Sequence, residues 1–254
     1  MVRGLESFTT WFQDYSDQYV IIGGTACDML MSEEGFSFRG TKDIDLVLIV
    51  ESLNRDFGMH FWNYVTSGGY ERKNKSNGTP QFYRFTNPQS KDFPSMIELF
   101  STSSDSIILP EHAVLTPLPI DDEVSSLSAI LLEPDYYEFL KMGRVRISGL
   151  TLLDALHLIP FKAKAWMDLC DRKENGEQID SKNIRKHKND VFRLTELIDR
   201  FQENSIETPR KVISDMEEFL LRISKEDVDL KQLGIMNRTK EDIIKQLGSL
   251  YRER

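Results

Sequence analysis

The chain has 254 residues, 41 of them acidic and 32 basic, for a formal net charge of -9. That length supports one large domain or two small ones around a sizeable core. Hydrophobic residues make up 40% and charged residues 29%, which excludes a low-complexity disordered chain, and no apolar stretch approaches the roughly 20 residues that span a bilayer. The acidic balance argues against a broad nucleic-acid groove, although "YERKNKSNGTPQFYRF" at 70–85 and "SKNIRKHKNDVFR" at 181–193 are locally basic. The opening "MVRGLESFTTWFQDY" lacks the long apolar core of a signal peptide. Cys27 and Cys170 lie far apart, without metal-binding spacing. A cytoplasmic protein with two reduced thiols and no membrane partner is expected.

In chain order, residues 5–16 read as a helix, 19–22 as a short strand and 25–32 as one or two helical turns. "IDLVLIV" at 44–50 is apolar on both faces and is expected inside a sheet. Leu53, Phe57, Phe61, Tyr64 and Val65 recur at helical spacing over 53–67. "YERKNK" and "QFYRFT" flank "SNGTP", whose Asn-Gly pair signals a hairpin or a wider loop. "SMIELFS" at 95–101 is another strand. "LPEHAVLTPLPIDDE" has prolines and no period, so it wraps a domain or links two. "YYEFLKMGRVRIS" holds one or two strands. From Leu150 the pattern is helical, with Pro160 starting or kinking a helix, and "RKENGEQIDSK" at 172–182 reads as a loop. Helices follow at 183–202, 208–223 and 238–252. The expected class is α+β, with a small mixed sheet over residues 1–124 and a mainly helical domain over 125–254.

Two features suggest chemistry. Asp43 and Asp45, two apart on a strand, point to one face at the mouth of an apolar run. Two like charges there repel and lose hydration, and a divalent cation is a common remedy. Magnesium takes one or two carboxylates together with phosphate oxygens, the arrangement that phosphoryl transfer needs. In "IIGGTA", Gly23 and Gly24 end a strand and open a helix, so the backbone can approach a ligand closely and the helix amides can face a phosphate. Thr25 could add a hydroxyl donor. Glu98, set in the apolar "SMIELFS", is the choice for a third metal ligand, with pairing to Arg39, Lys42 or Arg84 as the alternative.

"GGTA", the acid pair in "TKDIDL" and the later acid in "MIELF" resemble the nucleotidyltransferase superfamily of the DNA polymerase beta type. "LLDALHLIPFKAKAWMDLCDRK" followed by "IRKHKNDVFRLTEL" resembles the AbiEii/AbiGii toxin family. The resemblance covers most of residues 20–200. It implies that Gly23 and Gly24 bind phosphate, that Thr41 lies just before the acid pair, and that Asp43 and Asp45 hold magnesium. Lys162 matches the family lysine, with Lys164 competing, and Asp190 matches the acid of the later helix, aligning Lys162 or the acceptor. "EEGFSFRG" and the loop from Arg172 to Lys182 depart from the pattern as apparent insertions. The implied activity moves a nucleotidyl group from a nucleoside triphosphate such as ATP to RNA, a protein side chain or a small molecule. A toxin role with an antitoxin partner, or phage defence, follows from the resemblance alone. The alternative from another class is a non-catalytic nucleotide-binding interaction module. His157, Trp166 and Phe161 are expected to pack rather than to act on a substrate.

Overall fold

The computed structural model describes residues 2–49, 51–71, 82–100, 130–131, 133–198 and 205–252. These residues form a mixed sheet of six strands together with helices, as the α+β class requires. They divide into two compact units. The first holds the described residues through Phe100 together with Arg144–Asp154, and the second holds 130–143 and the described residues from Ala155 onward. Among the described residues no helix is long and apolar enough to cross a membrane.

In the first unit, β1 (Tyr19–Ile22), β2 (Asp43–Leu48), β3 (Phe82–Thr86), β4 (Met96–Phe100), β5 (Arg144–Ile147) and β6 (Leu150–Leu153) lie in the order β3-β4-β2-β1-β6-β5. β1 runs antiparallel to β2 and parallel to β6, while β2 runs parallel to β4. β1 and β6 are buried at every residue, and Ile44, Leu46, Val47 and Leu48 are buried on β2. Strands covered on both faces read as continuous apolar runs, which is why the central strands stand out in the sequence. Of the hairpin or wider loop expected between "YERKNK" and "QFYRFT", the described residues show an antiparallel bridge of Glu71 with Thr86; "SNGTP" lies outside the described residues, as does "LPEHAVLTPLPIDDE".

The expected domain boundary at 124/125 also falls outside the described residues. The mainly helical domain expected over 125–254 needs correction at one point, because Arg144–Asp154 belongs to the first unit and adds β5 and β6 to its sheet. Two readings of the sequence change with it. Tyr136–Met142 belongs to a helix, α4 (Pro134–Met142), and residues 150–153 form a strand. The turn between β5 and β6 places Ser148 at φ 51° and Gly149 at φ 85°. Two consecutive positive φ values match the twist of a tight hairpin, so "SG" is the local signal. Four-residue strands are too short to show a period.

Helices α1 (Leu5–Phe12) and α3 (Arg55–Ser67) supply an aromatic cluster to the first unit. Phe8 stacks on Phe12 with ring centroids 4.4 Å apart, and Tyr64 meets Phe12 edge-on at 5.1 Å. Asn54 starts α3, its side chain accepting a bond from the Phe57 amide at 2.9 Å.

The second unit contains α4, α5 (Ala155–Glu174), α6 (Ser181–Leu194), α7 (Arg210–Ile223) and α8 (Lys240–Leu250). Pro160 sits inside α5 and has no N–H to donate to the Leu156 carbonyl. Tyr251 fills that role, its hydroxyl donating to Leu156 O at 2.5 Å. Trp166 meets Phe219 edge-on at 5.5 Å, Phe161 meets Tyr136 at 5.1 Å, and His157 packs on Phe139 at 4.4 Å. All three expected packing residues are therefore core.

Candidate functional site

β1 ends at Ile22 and α2 (Gly23–Glu33) begins at the next residue. Gly23 takes φ 70° in this abrupt turn, a left-handed value that glycine reaches without a Cβ clash. A methyl group on Gly23 would lie 1.7 Å from Asp45 Oδ2. The bare Cα thus leaves a cradle in which the Asp45 carboxylate rests against the helix entrance. A methyl on Gly24 would come within 2.7 Å of Thr41 Oγ1 and 3.4 Å of Arg39 Nη2. First-turn amides have no acceptor inside their own helix and form its positive end. The structure brings Gly23, Gly24, Thr41 and Asp45 together there, as the sequence led us to expect. Arg39 joins them; in the sequence it stood out only as a candidate partner for Glu98.

Asp43 and Asp45 are half-buried on either side of buried Ile44, so both project from one face of β2. Thr25 has a different role from the one expected. It is fully buried, and its hydroxyl donates to the Asp43 backbone carbonyl at 2.5 Å. That donor is spent on fastening α2 to β2, and Thr25 supplies no hydroxyl hydrogen to an anion.

Glu98 makes one of the pairings that stood as the alternative to a metal role. The strand register sets Asp45 of β2 beside Glu98 of β4, and Glu98 beside Arg84 of β3. Arg84 Nε donates to Glu98 Oε1 at 2.6 Å, and Arg84 Nη2 contacts the same oxygen. Glu98 is only 7% exposed. Burial, reinforced by the Asp45 charge and a hydrogen bond to Asp45, pushes its carboxyl up to about 9 against the opposing pull of Arg84. At neutral pH the Glu98 carboxyl therefore keeps its proton.

Among the described residues no group of three or more His, Cys, Asp or Glu side chains is placed to hold a metal. Asp43 and Asp45, with the Gly23 cradle, fit a hard divalent cation bound through two carboxylates. Glu98, offered by the sequence as a third ligand or as a partner of a nearby cation, has Arg84 on its Oε1.

In the second unit, Lys162 Nζ lies 3.4 Å from Asp190 Oδ2, with side-chain exposures of 6% and 0%. The pairing expected of these two residues is present. Lys164 goes elsewhere, to Asp215 Oδ1 at 2.9 Å, where Lys211 Nζ also approaches to 2.8 Å and Tyr136 OH donates to Oδ2 at 3.2 Å. Buried Asp215 carries no motif signal; only its four-residue spacing from Lys211 on one helix face hints at a pair. The basic stretch at 181–193 borders a cleft of about 520 Å³ lined by Trp166, Lys173, Arg185 and Lys188 among others. Lys173 there bonds Ser181 Oγ, and Lys188 pairs with Glu226. Neither Cys27 nor Cys170 is in a disulfide. A scan against protein-family models finds no match to this chain, and neither does a comparison with curated protein sequences.

Proposed function

We propose that the chain is a magnesium-dependent nucleotidyltransferase that uses a nucleoside triphosphate. The observation that carries this reading is the placement of Asp43 and Asp45 on one face of β2, against the glycine-opened entrance of α2. In this reading the first-turn amides of α2, with Thr41, hold the triphosphate oxygens. Asp43 and Asp45 hold the cation, whose chemistry is to neutralise phosphate charge and make an attacking hydroxyl more acidic. An acceptor oxygen bonds to the α-phosphorus as the bond to the pyrophosphate oxygen breaks. Such transfers depend chiefly on positioning and on charge. Arg39 adds a guanidinium fork beside Gly24, suited to a phosphate oxygen pair. Lys162 and Asp190 enter this reading as the buried pair of the second unit. The acceptor classes are RNA, a protein side chain and a small molecule; a toxin activity, with an antitoxin, rests on the sequence resemblance.

A second reading, a nucleotide-binding module that transfers nothing, draws support from Arg84 holding the third carboxylate. The deciding experiment incubates the protein with radiolabelled triphosphates, magnesium and total cell extract, alongside Asp43→Ala and Asp45→Ala. Label should pass to an acceptor with the natural chain and be lost in both variants, with their circular dichroism and melting curves intact. Full labelling by either variant overturns the assignment of the acid pair. Bound nucleotide with no label transferred favours the module.

A further inference from the structure

Resting on the nucleotidyltransferase reading, the geometry points to a cation site with two carboxylate ligands, in which Arg84 and Glu98 form a fixed pair that positions Asp45. Three neighbouring strands set up this arrangement. Asp45, Glu98 and Arg84 are successive register partners on β2, β4 and β3, so their order across the sheet is fixed by backbone hydrogen bonds rather than by side-chain choice. Arg84 donates through Nε to Glu98 Oε1 and brings Nη2 against the same oxygen, and a charge-assisted hydrogen bond from a planar guanidinium is a strong, directional link. Glu98 is buried, where a carboxylate that loses its cationic partner is strongly disfavoured. It therefore has reason to stay with Arg84 when a metal binds nearby. The Asp45 carboxylate is then confined between two neighbours, Glu98 on the next strand and the Gly23 Cα on the other side. Glu98 and Arg84 are positioning residues in this scheme, and Arg84 is a permanent positive charge beside the cation.

That last point gives the test its sign. Removing Arg84 removes a repelling charge and releases the Glu98 oxygens toward the cation, so cation affinity should rise; taking the Glu98 carboxyl away as well should cancel most of that gain. Manganese, as the metal alone, is titrated calorimetrically into the full chain and into Asp45→Asn, Arg84→Met and the double variant Arg84→Met/Glu98→Gln. Expected are a loss of tenfold or more for Asp45→Asn, a gain of threefold or more for Arg84→Met, and a double variant within threefold of the natural chain. A double variant as weak as Asp45→Asn would make Glu98 a ligand and overturn the inference while leaving the acid-pair reading intact. Manganese binding that ignores Asp45→Asn would instead overturn the reading beneath it. The double variant leaves no buried charge unpaired, so it decides the question even where Arg84→Met fails to fold.

Discussion

Replacing Glu98 by Gln should change how stability depends on pH more than it changes stability itself. The Glu98 carboxyl moves from an ordinary 4.5 in the unfolded chain up to about 9 in the fold, through burial first and the Asp45 charge second. Between those two values the folded state holds a proton that the unfolded state has released. The stability that Glu98 contributes is then fully present below pH 4.5 and is lost as pH rises through 9. One proton of difference gives a slope of about 1.4 kcal/mol per pH unit. Between about pH 6 and 8 the natural chain should lose about 3 kcal/mol from this group. In Glu98→Gln the side-chain oxygen can still accept from Arg84 and the amide can still donate to Asp45, but nothing titrates. Urea unfolding across that range, read by fluorescence, should show the slope in the natural chain and its flattening in the variant. The two proteins differ at residue 98 alone, so a difference in slope traces to Glu98. A natural chain whose stability is level or rises across the window, or a variant that keeps the same slope, refutes the reasoning.

Gly23→Ala should cost about 1–2 kcal/mol from the left-handed φ alone, and it should weaken manganese binding because the new methyl displaces the Asp45 carboxylate; a variant with the stability loss but unchanged binding would show that the cradle does not matter. Lys162→Met should destabilise the chain by up to about 3–5 kcal/mol, since it takes the nearer cation from the fully buried Asp190 and leaves Arg193 at 3.9 Å, and Lys162→Met/Asp190→Leu should recover part of that loss in the same unfolding assay. Lys164→Met should cost less, because Lys211 and Tyr136 remain on Asp215. Tyr251→Phe should cost about 1–3 kcal/mol, the penalty of a backbone carbonyl left without its donor, and hydrogen exchange should quicken in the first turns of α5.

The sequence was most informative where one force dominates. Burial on both faces writes itself as the apolar runs of β2 and β4, and the strand period then puts Asp43 and Asp45 on one side without knowledge of any neighbour. The glycines at 23 and 24 were legible for a similar reason, since a left-handed turn and a close approach admit little else. What stayed hidden depends on register. Glu98 could have met Arg39, Lys42 or Arg84, and only the pairing of β3 with β4 selects Arg84. Thr25 looked like a ligand donor because a sequence does not show that the Asp43 carbonyl lies within reach of its hydroxyl. β5 falls in the stretch expected to hold a strand, but β6 was missed because four apolar residues run straight into a helix and show no period of their own, and the aromatic run of α4 resembles a strand.

The hairpin of β5 and β6 has a consequence for how the molecule is made. Ile21 finds its neighbour in Leu152, so during synthesis β1 waits with one flank bare until that late hairpin has left the ribosome. An unpaired, wholly apolar strand is a template for association with other chains. The nascent protein should therefore lean on chaperones through most of its translation, and a fragment ending near residue 124 should come out of cells as aggregate rather than as a working half.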